Sequence, residues 1–341
     1  MLGSEAVDTL ENEWLNKVEK KGWSAADVTK EPVTIQLSDE HLIIIIELME
    51  KTKQKGLRLE DIKPHHFHEP LLEELMRSTR YALKEKIGFV IIRGLPVSTF
   101  SIDDIKRMYV GLSSYFGQPV SQSRFGDLVG ENFVRAGDGR GGHRAGPLPL
   151  HNDPIEVLSL CCIRKAVSGG ENTLVSSLKV WEIIEKTRPN YLPIFYRGFR
   201  VHLAGEQRPD QEDFTSEPVP IFSEKYGLRS CWMNVSSVEL LAKARGDVMT
   251  DVEREAVRYL LSVIRSEELC ISIQLEPGEM IYINNFEVMH SRLDFTESTD
   301  PENFRYLLRL WLQDTPSRPM IDQLNIHQNK SGLQGIDMQL D

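Results

Sequence analysis

From Cys270 to Asn285 the chain reads CISIQL, then Glu276-Pro277-Gly278-Glu279, then MIYINN. A proline-glycine turn between two short apolar runs, the first alternating in polarity, leaves little room for a helix and predicts strand, turn, strand. Further strands are expected in GFVIIRGLP at 88–96, VLSLCCIRKA at 157–166 and RYLLRLWLQ at 305–313. Helices are expected elsewhere. Residues 70–86 start with Pro70 in the first turn and gather Leu71, Leu72, Leu75 and Met76 on one side. Ser101 caps a second segment, with Gly117 as its stop. Ser176 or Ser177 opens a third, and Thr250 with Glu253 forms a capping box for a fourth that ends near Arg265. Strand groups with helices before and between them predict a mainly β, antiparallel jelly roll with helical additions. The expected divisions are a helical N-terminal extension over 1–87, the jelly-roll domain over 88–314 and a polar C-terminal tail over 315–341.

Composition narrows the functional classes. Of 341 residues, 40 are Lys or Arg and 51 Asp or Glu, a net charge of −11, and no basic cluster stands against it. Nucleic acid is therefore not an expected partner. The apolar run LIIIIELM at 42–49 is too short to span a bilayer, so no membrane association is expected. Four cysteines without CxxC spacing read as reduced thiols, and a cytoplasmic location is expected. Assembly into a homo-oligomer is left open.

Residues 135–149, RAGDGRGGHRAGPLP, hold too many glycines and prolines for regular structure. Gly137-x-Gly139-x-x-Gly142 has the spacing of a dinucleotide fingerprint, but no helix can follow it through Pro147 and Pro149. A glycine-rich lid over 135–147 is the better reading.

Just beyond lies LPLHNDPIEV, with His151 two positions before Asp153. On extended chain these project to the same side and can share one cation. Two histidines and one carboxylate, leaving other positions open, form the donor set of non-haem Fe(II) oxygenases. A second histidine is then required. His41, His65, His66, His68 and His327 have sufficient surface readings, His143 belongs to the lid, and His202 stays an outside candidate. His290 is the strongest, because MIYINNFEVMHSRLDF carries it off the end of a strand. Arg305 and Arg309, four apart on a predicted strand, share a face, and inward guanidinium groups need an acidic ligand.

These residues together resemble the TauD/TfdA-like family of Fe(II)- and 2-oxoglutarate-dependent dioxygenases. His151-x-Asp153, then Gly169-Gly170-Glu171-Asn172-Thr173, then the NN….HSR..F pattern with His290, then RYLLRLW carry the resemblance, in order, from about residue 88 to 314. It implies a double-stranded β-helix, a jelly-roll, cupin-like barrel. It also implies Fe(II) on His151, Asp153 and His290, with 2-oxoglutarate and O2 as cosubstrates. Thr173 and Arg305 would hold the distal carboxylate of 2-oxoglutarate, and Arg309 would lie near its other end or near the substrate. Between Gly170 and Thr173 stand two residues, where the family pattern more commonly has one.

The implied reaction oxidises a C–H bond, by hydroxylation or by desaturation or ring closure, and releases succinate and CO2. Asp153 argues against halogenation, because a halide needs the coordination place the carboxylate fills. With Arg309, Arg144 and Arg135 at the mouth, the expected substrate is a small carboxylate-bearing molecule such as an amino acid or a derivative. Taurine itself is not implied. A zinc-dependent hydrolase and a non-catalytic jelly-roll binding protein are the alternatives, and the first leaves the paired arginines without a purpose.

Overall fold

A computed structural model describes residues 20–28, 33–134, 146–203, 205–208, 211–236, 238–329 and 332–339. In chain order the strands are β1 (Thr34–Gln36), β2 (Phe89–Arg93), β3 (Gln118–Val120), β4 (Gly130–Asn132), β5 (Leu148–His151), β6 (Val157–Arg164), β7 (Ser168–Gly169), β8 (Asn172–Ser176), β9 (Phe222–Lys225), β10 (Leu228–Cys231), β11 (Ile271–Ile273), β12 (Glu279–Asn284), β13 (Val288–Arg292), β14 (Phe295–Thr296) and β15 (Tyr306–Gln313). The helices are α1 (Asp39–Gln54), α2 (Pro70–Glu85), α3 (Ile102–Ser113), α4 (Ser177–Thr187), α5 (Leu192–Arg197), α6 (Val238–Arg245) and α7 (Asp251–Ile264). None is long and apolar enough to cross a membrane.

The caps lie where hydroxyls and carboxylates can take orphan helix N–H groups. Ser101 accepts from Asp104 N, Ser176 from Lys179 N and Thr250 from Glu253 N. Gly117 is different. α3 ends at Ser113 with Ser114 as its C-cap, and a Cβ on Gly117 would lie 2.6 Å from the Gln313 carbonyl oxygen. Its missing side chain lets this turn approach β15; it is not the helix stop that the sequence suggested.

A seven-stranded sheet runs β1-β2-β12-β6-β15-β3, with β4 also on β15, and a four-stranded sheet runs β11-β8-β13-β5. Pairing is antiparallel except between β1 and β2. The N-terminal extension, expected to be helical, thus also supplies a strand. Alternation sorts the side chains into layers. Phe89, Leu158, Ile281 and Trp311 of the larger sheet meet Leu174 and Val288 of the smaller in one buried cluster. The other face of the larger sheet, with Val90, Tyr282 and Leu310, packs on Met49, Met76 and Met108 of α1, α2 and α3. Val175 and Met289, on the other face of the smaller sheet, pack with Trp181 of α4 and Leu260 of α7. The core is therefore two facing sheets with helices outside both. The site lies where β5 and β13 run together in the smaller sheet.

The C-terminal segment is less peripheral than its polarity suggests. Leu324 and Ile336 are buried, Ile336 within the cluster between the sheets. Just after β15, Asp314 N and Arg318 N donate to the buried Glu156 carboxylate at 3.3 and 3.2 Å. Burial, then the charge of Asp314, pushes that carboxyl up from its ordinary 4.5 to about 7. The folded protein keeps a proton that the unfolded chain gives up above about pH 4.5. The stabilisation is full below that pH and declines as pH rises through about 7. Glu156→Gln is expected to flatten this decline. Urea melts at about pH 5 and about pH 8 should show wild type losing up to roughly 3 kcal/mol relative to the variant across the interval.

Candidate metal centre

β5 and β13 are paired so that His151 and His290 stand directly opposite each other. Their ring centroids are 4.3 Å apart. Asp153 follows β5 and places Oδ1 3.5 Å from His151 Nε2. One ligand atom from each of the three side chains lies within 4.8 Å of the others. Asp153 and His290 are buried and His151 is partly exposed, so the cluster opens on the His151 side.

Charge and tautomer suit a cation. His151 Nδ1 is 2.8 Å from the Pro149 carbonyl, to which it donates, so the lone pair sits on Nε2 beside Asp153. Burial opposes protonation of His151, but the Asp153 carboxylate outweighs it and raises the pKa. Burial, then the neighbouring His151, drives His290 down to about 3 and keeps it neutral. Its Nδ1 is buried without a hydrogen-bond partner among the described residues. Burial works against ionised Asp153, yet Arg309 and both imidazoles hold it well below the usual carboxylate range. A neutral imidazole, a second imidazole freed by losing one proton, and an ionised carboxylate fit a divalent transition metal.

The surroundings fix Asp153 in place. Trp311 Nε1 donates to Oδ2 at 2.9 Å, and Arg309 Nη1 lies 3.3 Å from the same oxygen, which leaves Oδ1 on the His151 side. Gln122 Oε1 accepts from Arg309 Nε at 2.6 Å. Two buried asparagines hold the turn itself. Asn152 Oδ1 accepts from Met233 N, and its Nδ2 donates to the Val288 carbonyl, so this side chain is directed away from the metal cluster. Asn285 accepts from Asp153 N and donates to the carbonyls of Asp153 and Ile155. Trp311→Phe removes the indole donor but keeps most of the volume. It is expected to weaken Fe(II) binding by about 10- to 100-fold in a competition titration with little change in melting temperature.

The sequence-predicted residues divide. His151, Asp153 and His290 come together. His202, kept open as a ligand, stands opposite Phe214 on an isolated bridge, away from the cluster. Arg309 contacts Asp153. Arg305 is buried, and its guanidinium lies 5.3 Å over the Phe295 ring with no carboxylate in ion-pair range among the described residues. Burial lowers its pKa. Arg135 and Arg144, with most of the lid, lie outside the described residues.

Thr173 is where the register departs from the sequence expectation. Leu174 pairs with His290 and Thr173 with Ser291, so alternation puts Leu174 and Asn172 on the His290 side and Thr173 on the opposite side. On its other edge Thr173 pairs with the exposed Ser272. Trp311, Asn152 and Asn285 were missed as site residues. The signal for Trp311 was its i+2 spacing from Arg309 on one strand.

Two imidazoles and a carboxylate on adjoining strands of a β core define a mononuclear metal site of the non-haem iron kind. Residues 54–311 match the model of the "Taurine catabolism dioxygenase TauD, TfdA family", and the chain belongs to that family. It is an Fe(II)/2-oxoglutarate-dependent oxygenase, with iron and 2-oxoglutarate as cofactors, and both alternatives weighed from the sequence give way. FR-33289 synthase of Streptomyces rubellomurinus is 23% identical over 315 residues, covering 89% of this chain and 92% of that protein. Human gamma-butyrobetaine dioxygenase is 22% identical over 255 residues, covering 67% of this chain and 59% of that one. The fold is shared with an asparagine oxygenase solved with Fe(II), 2S,3S-3-hydroxyasparagine and succinate. Its TM-score is 0.69 at 14% identity, over 90% of this chain and 100% of that one. It is also shared with the non-haem iron oxygenase OrfP solved with Fe and alpha-ketoglutaric acid, TM-score 0.61 at 15% identity, over 82% and 93%.

Proposed function

We propose that this chain oxidises a C–H bond of an amino acid or a closely related carboxylate, with His151, Asp153 and His290 as the iron ligands. The observation that carries the reading is their convergence within 4.8 Å, beside a buried Arg305 whose guanidinium forms no salt bridge among the described residues. Burial outweighs the charge of nearby Glu297 at this guanidinium, and a dianionic cosubstrate would relieve the cost. When bound, iron and 2-oxoglutarate supply the oxidising chemistry, releasing succinate and CO2. The chain's own residues do the rest. His151 and His290 give lone pairs, Trp311 and Arg309 aim Asp153, and Arg305 binds the distal carboxylate of 2-oxoglutarate. Arg309, engaged by Asp153 and Gln122, is assigned to the ligand rather than to the cosubstrate.

The two facing sheets support the double-stranded β-helix of the family, with 1–87 and 315–341 as additions to a domain over 88–314. Four free cysteines support a cytoplasmic location. For the substrate, the relatives solved with hydroxyasparagine and with hydroxy-L-Arg are the guide. Arg135 and Arg144, which lie outside the described residues, are kept as proposed substrate residues. The reaction is hydroxylation, or desaturation or ring closure on the same C–H bond.

The test is a panel of amino acids and their derivatives assayed for substrate-stimulated succinate release, with products identified by mass. One or more amino acids are expected to stimulate release. Stimulation confined to compounds without a carboxylate would overturn the substrate class. Absence of a visible charge-transfer band on anaerobic addition of Fe(II) and 2-oxoglutarate to the wild type would overturn the ligand assignment.

A further inference from the structure

We propose that the amide of Asn172, and not the hydroxyl of Thr173, joins Arg305 in holding the distal carboxylate of 2-oxoglutarate. The inference rests on the cosubstrate reading above and assigns one more side chain to it. Three independent observations lead there. The first is the register. His290 pairs with Leu174 and Arg292 with Asn172, so Asn172 shares the face of the proposed iron ligand and Thr173 does not. Side chains alternate strictly along a strand, and no bulge interrupts β8 against β13 between these pairs.

The second is spacing. Counted to Asn172, one residue follows Gly170, which is the commoner interval in the family pattern; counted to Thr173 it is two. The glycines explain why the interval matters. A Cβ on Gly169 would lie 2.3 Å from the Asp294 carbonyl oxygen, and one on Gly170 3.2 Å from Arg305 Nε. The backbone here is pressed against Arg305, and the next inward side chain along the strand is that of Asn172.

The third is burial in cationic surroundings. Asn172 is 4% exposed, a polar amide set almost wholly inside the protein. A buried primary amide has to find its hydrogen-bond partners there and not in bulk water. Arg292, its cross-strand pair, and Arg305 lie 5.0 and 5.3 Å from the same Phe295 ring, so the amide sits in cationic surroundings. A carboxylate placed there takes a hydrogen bond from Nδ2 while Oδ1 remains free to accept from a guanidinium. Thr173, beside exposed Ser272, has solvent for the same purpose.

The test compares anaerobic calorimetric binding of 2-oxoglutarate and of 2-oxopentanoate, which has the same keto-acid end but no distal carboxylate, to Fe(II)-loaded protein. The ratio of the two affinities reads recognition of that carboxylate, independently of turnover. Asn172→Leu, close to isosteric, is expected to cut the ratio by about 10-fold or more, while Thr173→Val leaves it unchanged. Should Asn172→Leu fail to fold, Asn172→Ala reads the same quantity. A ratio unchanged in the Asn172 variant, or cut equally in Thr173→Val, overturns the assignment alone. A wild type that binds both acids equally overturns the cosubstrate reading beneath it, and this inference with it.

Discussion

His151→Ala is expected to abolish Fe(II) retention and succinate release while leaving the protein folded. His151 stands at the end of β5 and is partly exposed, so its loss opens no cavity in the core. What it removes is a donor whose lone pair is oriented in advance by the Pro149 carbonyl. Two protein ligands, Asp153 and His290, would remain. Loss of a supporting partner costs a metal site about 10- to 100-fold in affinity, and loss of a direct ligand costs more. The check is iron content after anaerobic equilibration, together with the visible band formed by Fe(II) and 2-oxoglutarate. A variant that keeps its iron within about 10-fold of wild type and still turns over would remove His151 from the centre. His290→Ala should match the loss of iron but also lower the melting temperature, because that ring is buried against Leu174. The contrast separates a ligand's chemical role from its packing role.

The parts of this centre legible in the sequence were those written in short spacing. His151 and Asp153 obey the two-residue period of a strand, Arg309 follows Arg305 at twice that period, and the helix caps depend on neighbours three residues apart. Long-range pairing is written nowhere so directly. That His151 meets His290 across a ladder follows from which strands adjoin, which the chain order does not state. Residue type and strand face also give different answers at Asn172 and Thr173. Similarity to a family motif selects the threonine by its identity, whereas the ladder selects the asparagine by its side of the sheet. Gly117 misled for a related reason: a glycine after a helix usually marks its end, but this one is small because Gln313 of a distant strand passes close by. β1 was hidden because three residues are too few to show a period, and it is held by its neighbour β2. The buried tail was hidden too, since Leu324 and Ile336 are isolated among polar residues and gain their burial only from strands already formed.

Asn285→Ala is expected to produce the largest stability loss of any single change near the centre. The side chain is fully buried, and it acts as a clamp on the turn that carries Asp153. Its Oδ1 accepts from Asp153 N at 3.3 Å, and its Nδ2 donates to the carbonyls of Asp153 and Ile155, the latter at 3.0 Å. Alanine would leave the Asp153 N–H and the Ile155 carbonyl in the interior without this partner, while the Asp153 carbonyl still accepts from Ile155 N. Each such group costs about 1–3 kcal/mol, the amide more than the carbonyl, so a loss of roughly 3 kcal/mol or more is expected in urea melts. Against a total stability on the order of 5–15 kcal/mol, that leaves a folded but weakened protein. Asn285→Asp should do no better, because an ionised carboxylate has no hydrogen to donate and would face two carbonyl oxygens. The informative comparison is with metal affinity measured at a temperature where the variant stays folded. If the clamp positions Asp153, Asn285→Ala weakens Fe(II) binding as Trp311→Phe does, by about 10- to 100-fold, although Asn285 never touches the carboxylate. If it only stabilises the fold, the melts shift and the affinity does not. The first outcome is expected, since a ligand whose own backbone is freed must be ordered again each time the metal binds.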